Sequence, residues 1–128
     1  MNATEVKSFV SAYGEFVRTP IDAPRSGALF WTFDLLVDTA EKDPELCWRL
    51  IEAVVARDSD EQVLAALAAG PMEDLLARHG PAFIERIETR AAQNPLFRHL
   101  LAGVWRNAIP QEIWDRVVAA RGPDLGKV

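Results

Sequence analysis

The sequence is poor in cysteine and in long apolar runs. Its single cysteine, Cys47, cannot form a disulfide within the chain, and its apolar helical neighbours predict a small buried hydrophobe rather than a reactive thiol. No stretch approaches the roughly 18 apolar residues of a membrane-spanning helix. The N-terminus has neither the basic start nor the apolar run of a signal peptide. We therefore expect a cytoplasmic protein that does not bind a membrane.

Catalytic and metal-binding motifs are also missing. The sequence contains no His-Glu-x-x-His, no glycine-rich phosphate loop, no Cys-x-x-Cys and no Gly-x-Ser-x-Gly. Its two histidines, His79 and His99, lie on separate predicted helices, which favours surface or capping roles over ligation. We expect no cofactor and no metal.

Positive charge is scarce in the first half of the chain. Residues 1–64 carry 6 Lys and Arg against 12 Asp and Glu, whereas residues 65–128 carry 8 against 7. The net charge of −5 repels phosphate backbones, and the only candidate basic patch, at Arg86 and Arg90, is flanked by acids. This balance disfavours nucleic acid and favours a basic partner.

Helical periodicity is abundant. Apolar residues recur at i, i+3, i+4 and i+7, and no segment alternates with the period of a strand. We predict one all-α domain over residues 1–128 with more than about 60% helix, twice the average for globular proteins. It comprises a helix at 2–18, a linker at 19–27, a helical array at 28–121 and a tail at 122–128. The helices, about eight in all, should stack as α-α hairpins resembling a small solenoid.

Prolines and capping side chains mark the predicted helix starts, and Asn2 with Glu5 and Ser59 with Gln62 predict capping boxes. Asp43-Pro44 and Asn94-Pro95 each place a capping side chain before a proline at the first helical position. A shift of 51 residues, from 43 to 94, superimposes the two steps and their apolar surroundings. The halves are either two three-helix units or amphipathic helices that share a period by chance. Gly70-Pro71 and Gly80-Pro81 predict left-handed glycines that end one helix before proline starts the next.

Tryptophan is more frequent than a core of this size needs. Trp105 and Leu101 follow the apolar stripe of the helix that begins at Pro95, so both are predicted core residues. Trp31 and Trp48 fall off the stripes of their helices, as interface anchors do, although a stacked array could also bury them. The predicted core stripe of the helix after the linker consists of Leu29, Phe30, Phe33, Leu36, Val37 and Ala40.

Three acids share one face of that helix, and we call them the acidic row. Asp34 and Asp38 are like charges at i, i+4, which weakens a helix by a few tenths of a kcal/mol, and Glu41 extends the face. The row could be a solvated face, a weak cation site or a docking surface. We favour a non-enzymatic module that binds a basic protein, such as an immunity- or antitoxin-like inhibitor. The predicted partner-binding residues are Asp34, Asp38, Glu41, Glu45, Trp31 and Trp48.

A second group of polar residues suggests an alternative. Glu73, Asp74 and His79 lie between the Gly-Pro steps, and with Arg86 they could form the site of a small enzyme or ligand-binding domain. Complementarity to the helix dipole accounts for the first three without any chemistry. A pocket with a shifted carboxylate pKa would favour the enzyme.

The run GPMEDLLARHG at 70–80 leads through Asn94-Pro95 and Val104-Trp105 to Trp114. It resembles a family of small bacterial domains of unknown function, whose members share a Gly-Pro-Leu-Glu-Asp-Leu-Leu type core and a tryptophan-rich end. Met72 stands at the usual leucine, a volume-conserving change. The likeness covers about residues 28–121, and it implies a bacterial origin but no activity.

Overall fold

The computed structural model describes residues 1–122, which are 82% helical and contain no strand. The all-α prediction is therefore confirmed, while the predicted tail lies outside the described residues from position 123 onward. A π-helical turn at Ala68–Met72 joins the fifth helix to the sixth. The α-helices of the described residues are α1 (Ala3–Arg18), α2 (Pro24–Leu29), α3 (Trp31–Lys42), α4 (Pro44–Arg57), α5 (Glu61–Leu67), α6 (Glu73–Gln93), α7 (Pro95–Ala102) and α8 (Gln111–Arg121).

The predicted linker at 19–27 is irregular only in its first half. Helix α2 begins at Pro24, where the missing N–H costs no hydrogen bond, so the linker prediction is wrong from there on. Phe30 keeps helical angles (φ −60°, ψ −25°), and α2 therefore runs almost directly into α3. Arg25 binds Glu15 of α1, with 2.7 Å between Nε and Oε2, which ties α2 to α1.

The predicted caps at Asn2, Asp43 and Asn94 are confirmed, but the capping box predicted for Ser59 and Gln62 is wrong, because Asp60 caps α5 and accepts the N–H of Gln62. The Asn2 side chain accepts the N–H of Glu5, and the Glu5 carboxylate accepts the N–H of Asn2, which makes a reciprocal capping box. Asp43 accepts the N–H of Leu46, and Asn94 accepts those of the residues two and three positions on. These one-residue breaks let α4 pack on α3 and α7 pack on α6.

The 51-residue correspondence holds at these caps but breaks on the helix faces. Leu36 and its counterpart Ile87 are both buried. Phe33 is 44% exposed, however, whereas its counterpart Ile84 is 1% exposed. The two halves thus share their cap chemistry without sharing the burial of each position.

Neither Gly-Pro step has the predicted left-handed glycine, and only the second step separates two helical segments, at a kink. Gly70-Pro71 lies inside the π-helical turn, and α6 runs across Gly80-Pro81 with non-helical angles only at His79 (φ −135°, ψ 22°). Neither glycine has a positive φ. Proline lacks an N–H and crowds the carbonyl four residues back, and the chain absorbs this with a wider turn in the first case and a kink in the second.

Helix α6 is the centre of the packing and contacts α3, α4, α7 and α8. Gly80 permits the close approach of α8, because a Cβ at this position would lie 3.0 Å from the Ile113 side chain. Cys47 is fully buried in the core, as predicted. Most of the apolar residues thus form one continuous core around α6.

Trp105 is at the surface, so its predicted place in the core is wrong. Helix α7 ends at Ala102, because the next two N–H groups turn back onto the carbonyls of Leu100 and Leu101 at 3.0 and 3.1 Å. Leu101 is buried as predicted, and Val104 is buried after it. Trp105 is left 73% exposed in the loop that follows.

Candidate functional site

Helix α3 divides into a buried side and an outer face. Leu36 and Ala40 of the predicted core stripe are buried, together with Thr32 and Thr39. Three other residues of the predicted core stripe lie at the surface instead, and each is between 42% and 46% exposed. We call these three residues the apolar stripe: Phe30, Phe33 and Val37.

The two threonines explain why the apolar stripe faces outward. The hydroxyl of Thr32 donates to the carbonyl of Leu29 at 2.8 Å, and that of Thr39 donates to Leu35 at 2.7 Å. A hydroxyl bonded to its own helix can be buried without leaving an unpaired donor. The core therefore accepts both threonines, and their seven-residue spacing was the signal in the sequence that could have revealed the buried side.

A small aromatic cluster supports one end of the apolar stripe. The ring of Phe16 on α1 lies 6.0 Å from that of Phe30 and 6.4 Å from that of Phe33, and the last two are 5.2 Å apart. None of the three rings belongs to the main hydrophobic core. The cluster is thus held by aromatic contacts and remains partly open to solvent.

The acidic row lies beside the apolar stripe. Its three members are exposed, and with the half-exposed Trp31 they line one shallow surface depression. Asp38 binds Lys42 at 3.0 Å, and this hydrogen bond raises the pKa of Lys42. In the described part of the chain neither Asp34 nor Glu41 forms an ion pair, although the negative charge of Glu41 also raises the pKa of Lys42. The structure therefore brings together four of the six predicted partner-binding residues.

The other two predicted partner-binding residues lie where α4 meets α6 and α7. The carboxylate of Glu45 accepts two hydrogen bonds of 2.7 Å from Arg86, which lower the pKa of Glu45. Trp48 is 6% exposed, with ring distances of 6.0 Å to Phe83 and 5.7 Å to Phe97. The prediction of Trp48 as a surface anchor is wrong, because α6 and α7 cover it.

Glu73 and Arg86 of the alternative site point to different neighbours. The Glu73 carboxylate accepts the N–H of Trp105 at 3.1 Å and the side-chain amide of Asn107 at 2.6 Å, which holds the loop after α7. Arg86 instead binds Glu45. The positions 73 and 86 are about 20 Å apart along α6, the kink aside, at 1.5 Å per residue.

Asp74 and His79 do not form a common site with them either. Asp74 is half-buried, and its negative charge adds to the effect of burial, which raises the pKa of the Cys47 thiol to about 11. His79 lies at the kink of α6, where its Nε2 is buried without a hydrogen-bond partner among residues 1–122. The four residues of the alternative site thus have separate surroundings.

Residues 19–124 match the model of a family of unknown function, DUF6869. The chain belongs to the DUF6869 family. The matched range includes the acidic row, the apolar stripe and both Gly-Pro steps, whereas α1 lies before it. No curated protein and no solved structure matches the chain.

The described residues of this DUF6869 chain contain neither a metal-binding cluster nor a membrane-spanning helix. No group of three or more His, Cys, Asp or Glu side chains is arranged to hold a metal ion. No helix in residues 1–122 is both long and apolar enough to cross a membrane. The candidate functional site is the outer face of α3, where exposed acids and exposed apolar side chains lie side by side.

Proposed function

We propose that the protein binds a basic protein partner through the acidic row, with Trp31 as an apolar anchor at its edge. The observation that carries this proposal is that Asp34 and Glu41 are exposed and form no ion pair in the described part of the chain. Trp31 lines the same depression and is 46% exposed. Exposed tryptophan beside unpaired charge is typical of binding surfaces.

Several acids on other surfaces form ion pairs with cations of this chain. Glu15 binds Arg25 at 2.7 Å, and Glu88 binds Arg116 at 3.0 Å, which lowers the pKa of both carboxyls. The acidic row has three carboxylates and one paired ammonium, that of Lys42, and so keeps two negative charges (−3 + 1 = −2). A field of one sign raises the association rate with a partner of opposite charge.

We further propose a role in a bacterial cytoplasm, as an immunity- or antitoxin-like inhibitor of a basic toxin. The resemblance of the run at 70–76 to bacterial domains supports the bacterial origin. The small size and the lack of catalytic motifs in the sequence support a binding role. An inhibitor of this kind needs a complementary surface and no catalytic site of its own.

The test uses the partner isolated from the native host by affinity capture. Titration calorimetry over a range of salt concentrations then compares the wild-type protein with Asp34→Lys/Asp38→Lys. The variant should bind at least about tenfold more weakly and lose its salt dependence, because like charges now face each other. Its circular dichroism spectrum should be unchanged, since both side chains are exposed.

A matched control is Glu85→Lys/Glu112→Lys, which changes exposed residues of α6 and α8. Both double variants shift the net charge equally (−5 + 4 = −1). The control should keep the wild-type affinity within about twofold if position decides the effect. Equal weakening by both variants would show that only net charge matters, and undiminished binding by Asp34→Lys/Asp38→Lys would exclude the acidic row.

A further inference from the structure

We infer that the partner docks an amphipathic helix, which packs its apolar side on the apolar stripe and turns its basic residues toward the acidic row. This inference rests on the proposed function and specifies the partner's element. The three side chains of the stripe recur at i, i+3 and i+7 and are each between 42% and 46% exposed. They form a ridge of two turns, about 10 Å long at 1.5 Å per residue.

The acidic row lies along one flank of this ridge. At 100° per residue, Glu41 and Asp34 are adjacent to the stripe on the helical wheel, and Asp38 and Trp31 follow. At the N-terminal end of the ridge, Phe16 of α1 contacts the rings of the stripe. A partner that binds this face would contact the apolar stripe in the middle and the acidic row along one edge.

A helix is the partner element that fits such a ridge. The backbone N–H and carbonyl groups of α3 are used inside the helix, and residues 1–122 contain no strand whose edge could pair with an extended peptide. A partner can thus contact only side chains. A ridge of side chains at helical spacing packs into the grooves of another helix.

The acidic row selects against two other occupants of the stripe. An anionic membrane surface would be repelled by the row rather than attracted. A second copy of this chain, packed antiparallel through α3, would place the two acidic rows beside each other, and like charges in contact oppose association. Charge complementarity therefore favours a helix with basic residues along one side as the element that binds the apolar stripe.

The experiment uses defined fluorescein-labelled peptides and measures binding by fluorescence anisotropy. The first is a helical peptide of leucine and lysine whose leucines recur at i, i+3, i+4 and i+7. The second has the same composition in scrambled order, and the third replaces each lysine by glutamine. We expect the scrambled peptide to bind at least about tenfold more weakly than the first, because it has no apolar side.

Two double variants separate the apolar from the charged contribution. Phe33→Ser/Val37→Ser should weaken the lysine and the glutamine peptides alike, at least about tenfold, whereas Asp34→Lys/Glu41→Lys should weaken the lysine peptide alone. The apolar control is Leu96→Ser/Val118→Ser, which changes residues 37% and 38% exposed on α7 and α8 and should leave both affinities unchanged. All altered residues are at least one-third exposed or charged, so the fold should persist in circular dichroism.

The outcomes distinguish this inference from the proposed function. If the scrambled peptide and Phe33→Ser/Val37→Ser bind as well as the originals while Asp34→Lys/Glu41→Lys still weakens binding, the helix is excluded and the acidic row stands. If Asp34→Lys/Glu41→Lys has no effect on the lysine peptide, both fail. Co-sedimentation with phosphatidylglycerol vesicles, or a dimer in sedimentation velocity that Phe33→Ser/Val37→Ser converts to monomer, would give the stripe another occupant and overturn the inference.

Discussion

Two surfaces of the molecule contain acids and aromatic residues and use them differently. Where α4 meets α6, Glu45 and Glu52 bind Arg86 and Arg90, and Trp48 is buried. On the outer face of α3, the acidic row and the apolar stripe remain exposed. Acidic composition alone therefore does not mark a docking surface, because the neighbouring helix decides whether the acids are neutralised and the rings are covered.

Helix α6 creates this difference. Arg86 and Arg90 are one turn apart on α6 and reach the acids of α4, and the Arg86 guanidinium also lies 4.7 Å above the ring of Phe83. Arg86 thus pairs with an acid of α4 and also covers an aromatic ring at the same interface. The outer face of α3 receives no such cover from the described residues, as the exposure of the apolar stripe shows.

The largest expected effect comes from truncating a tryptophan on each surface. Trp48→Ala should lower the free energy of unfolding by about 3–5 kcal/mol, because the core around the lost ring closes only in part. Trp31→Ala should lower it by about 1 kcal/mol or less, since Trp31 is half-exposed and makes one edge contact with Phe9. Urea denaturation measures both. Equal losses would contradict the comparison, because they would mean that the outer face of α3 is packed in solution.

The sequence was sufficient for features that depend on neighbouring residues in the chain. The caps at Asn2, Asp43 and Asn94 involve atoms within three positions of each other, and all three were predicted, although the cap of α5 was predicted one residue too early, at Ser59 instead of Asp60. The all-α class follows from helical periodicity alone. The Gly-Pro steps show the limit of such reasoning, because proline can kink or widen a helix as well as start one.

Features that depend on distant helices could not be predicted. Trp48 lies off the main stripe of α4, but α6 and α7 flank it, so more than one side of α4 is buried. Trp105 continues the stripe of α7, but the helix has already ended at Ala102. For the candidate site, the sequence identified the acidic row and Trp31. The apolar stripe was wrongly predicted in the core, because the buried side of α3 includes two threonines whose hydroxyls bond within their own helix.

The two Gly-Pro steps give the second prediction, which tests how tightly α6 packs. Gly80→Ala should destabilise the protein by about 1–3 kcal/mol, since the new Cβ would lie 3.0 Å from Ile113. Gly70→Ala is the matched control, because nothing lies within 4 Å of its Cβ position, and it should be neutral or stabilising by up to about 1 kcal/mol. In an Ile113→Ala background, which lacks the two γ-carbons nearest the new Cβ, Gly80→Ala should cost less than it does in the wild type. An equal change in the melting temperature of both glycine variants would show that Ile113 of α8 is not in tight contact with position 80.

The third prediction uses pH to probe the buried side of the molecule. Burial raises the pKa of the Cys47 thiol from 9.0 to about 11, and it also raises the pKa of Tyr13. The folded state therefore favours the protonated thiol. The contribution of the thiol to the free energy of unfolding is fully present below pH 9 and is lost as the pH rises through 11. The full loss for the thiol should approach about 3 kcal/mol, since its pKa rises by about two and each pKa unit corresponds to about 1.4 kcal/mol.

Urea midpoints at pH 8, 9, 10 and 11 measure this loss, and two variants identify its source. Cys47→Ala should be less stable at pH 8 but should lose less stability between pH 9 and 11. Tyr13→Phe keeps the ring and should flatten the curve only at the alkaline end, where the unfolded tyrosine ionises. A wild-type midpoint that stays constant to pH 11 would contradict the burial of both groups.

The smallest expected effect comes from neutralising one acid on each surface. Glu45→Gln should lower the unfolding temperature, because it removes a bidentate ion pair with Arg86. Asp34→Asn should leave it nearly unchanged, since losing a favourable charge in the first turn of α3 is offset by relief of its repulsion with Asp38. In 1 M salt, where screening acts over about 3 Å, the effect of Glu45→Gln should shrink toward that of Asp34→Asn. If Asp34→Asn is the more destabilising variant at low salt, Asp34 stabilises the fold. That result would contradict the interpretation of Asp34 as a charge kept exposed for binding.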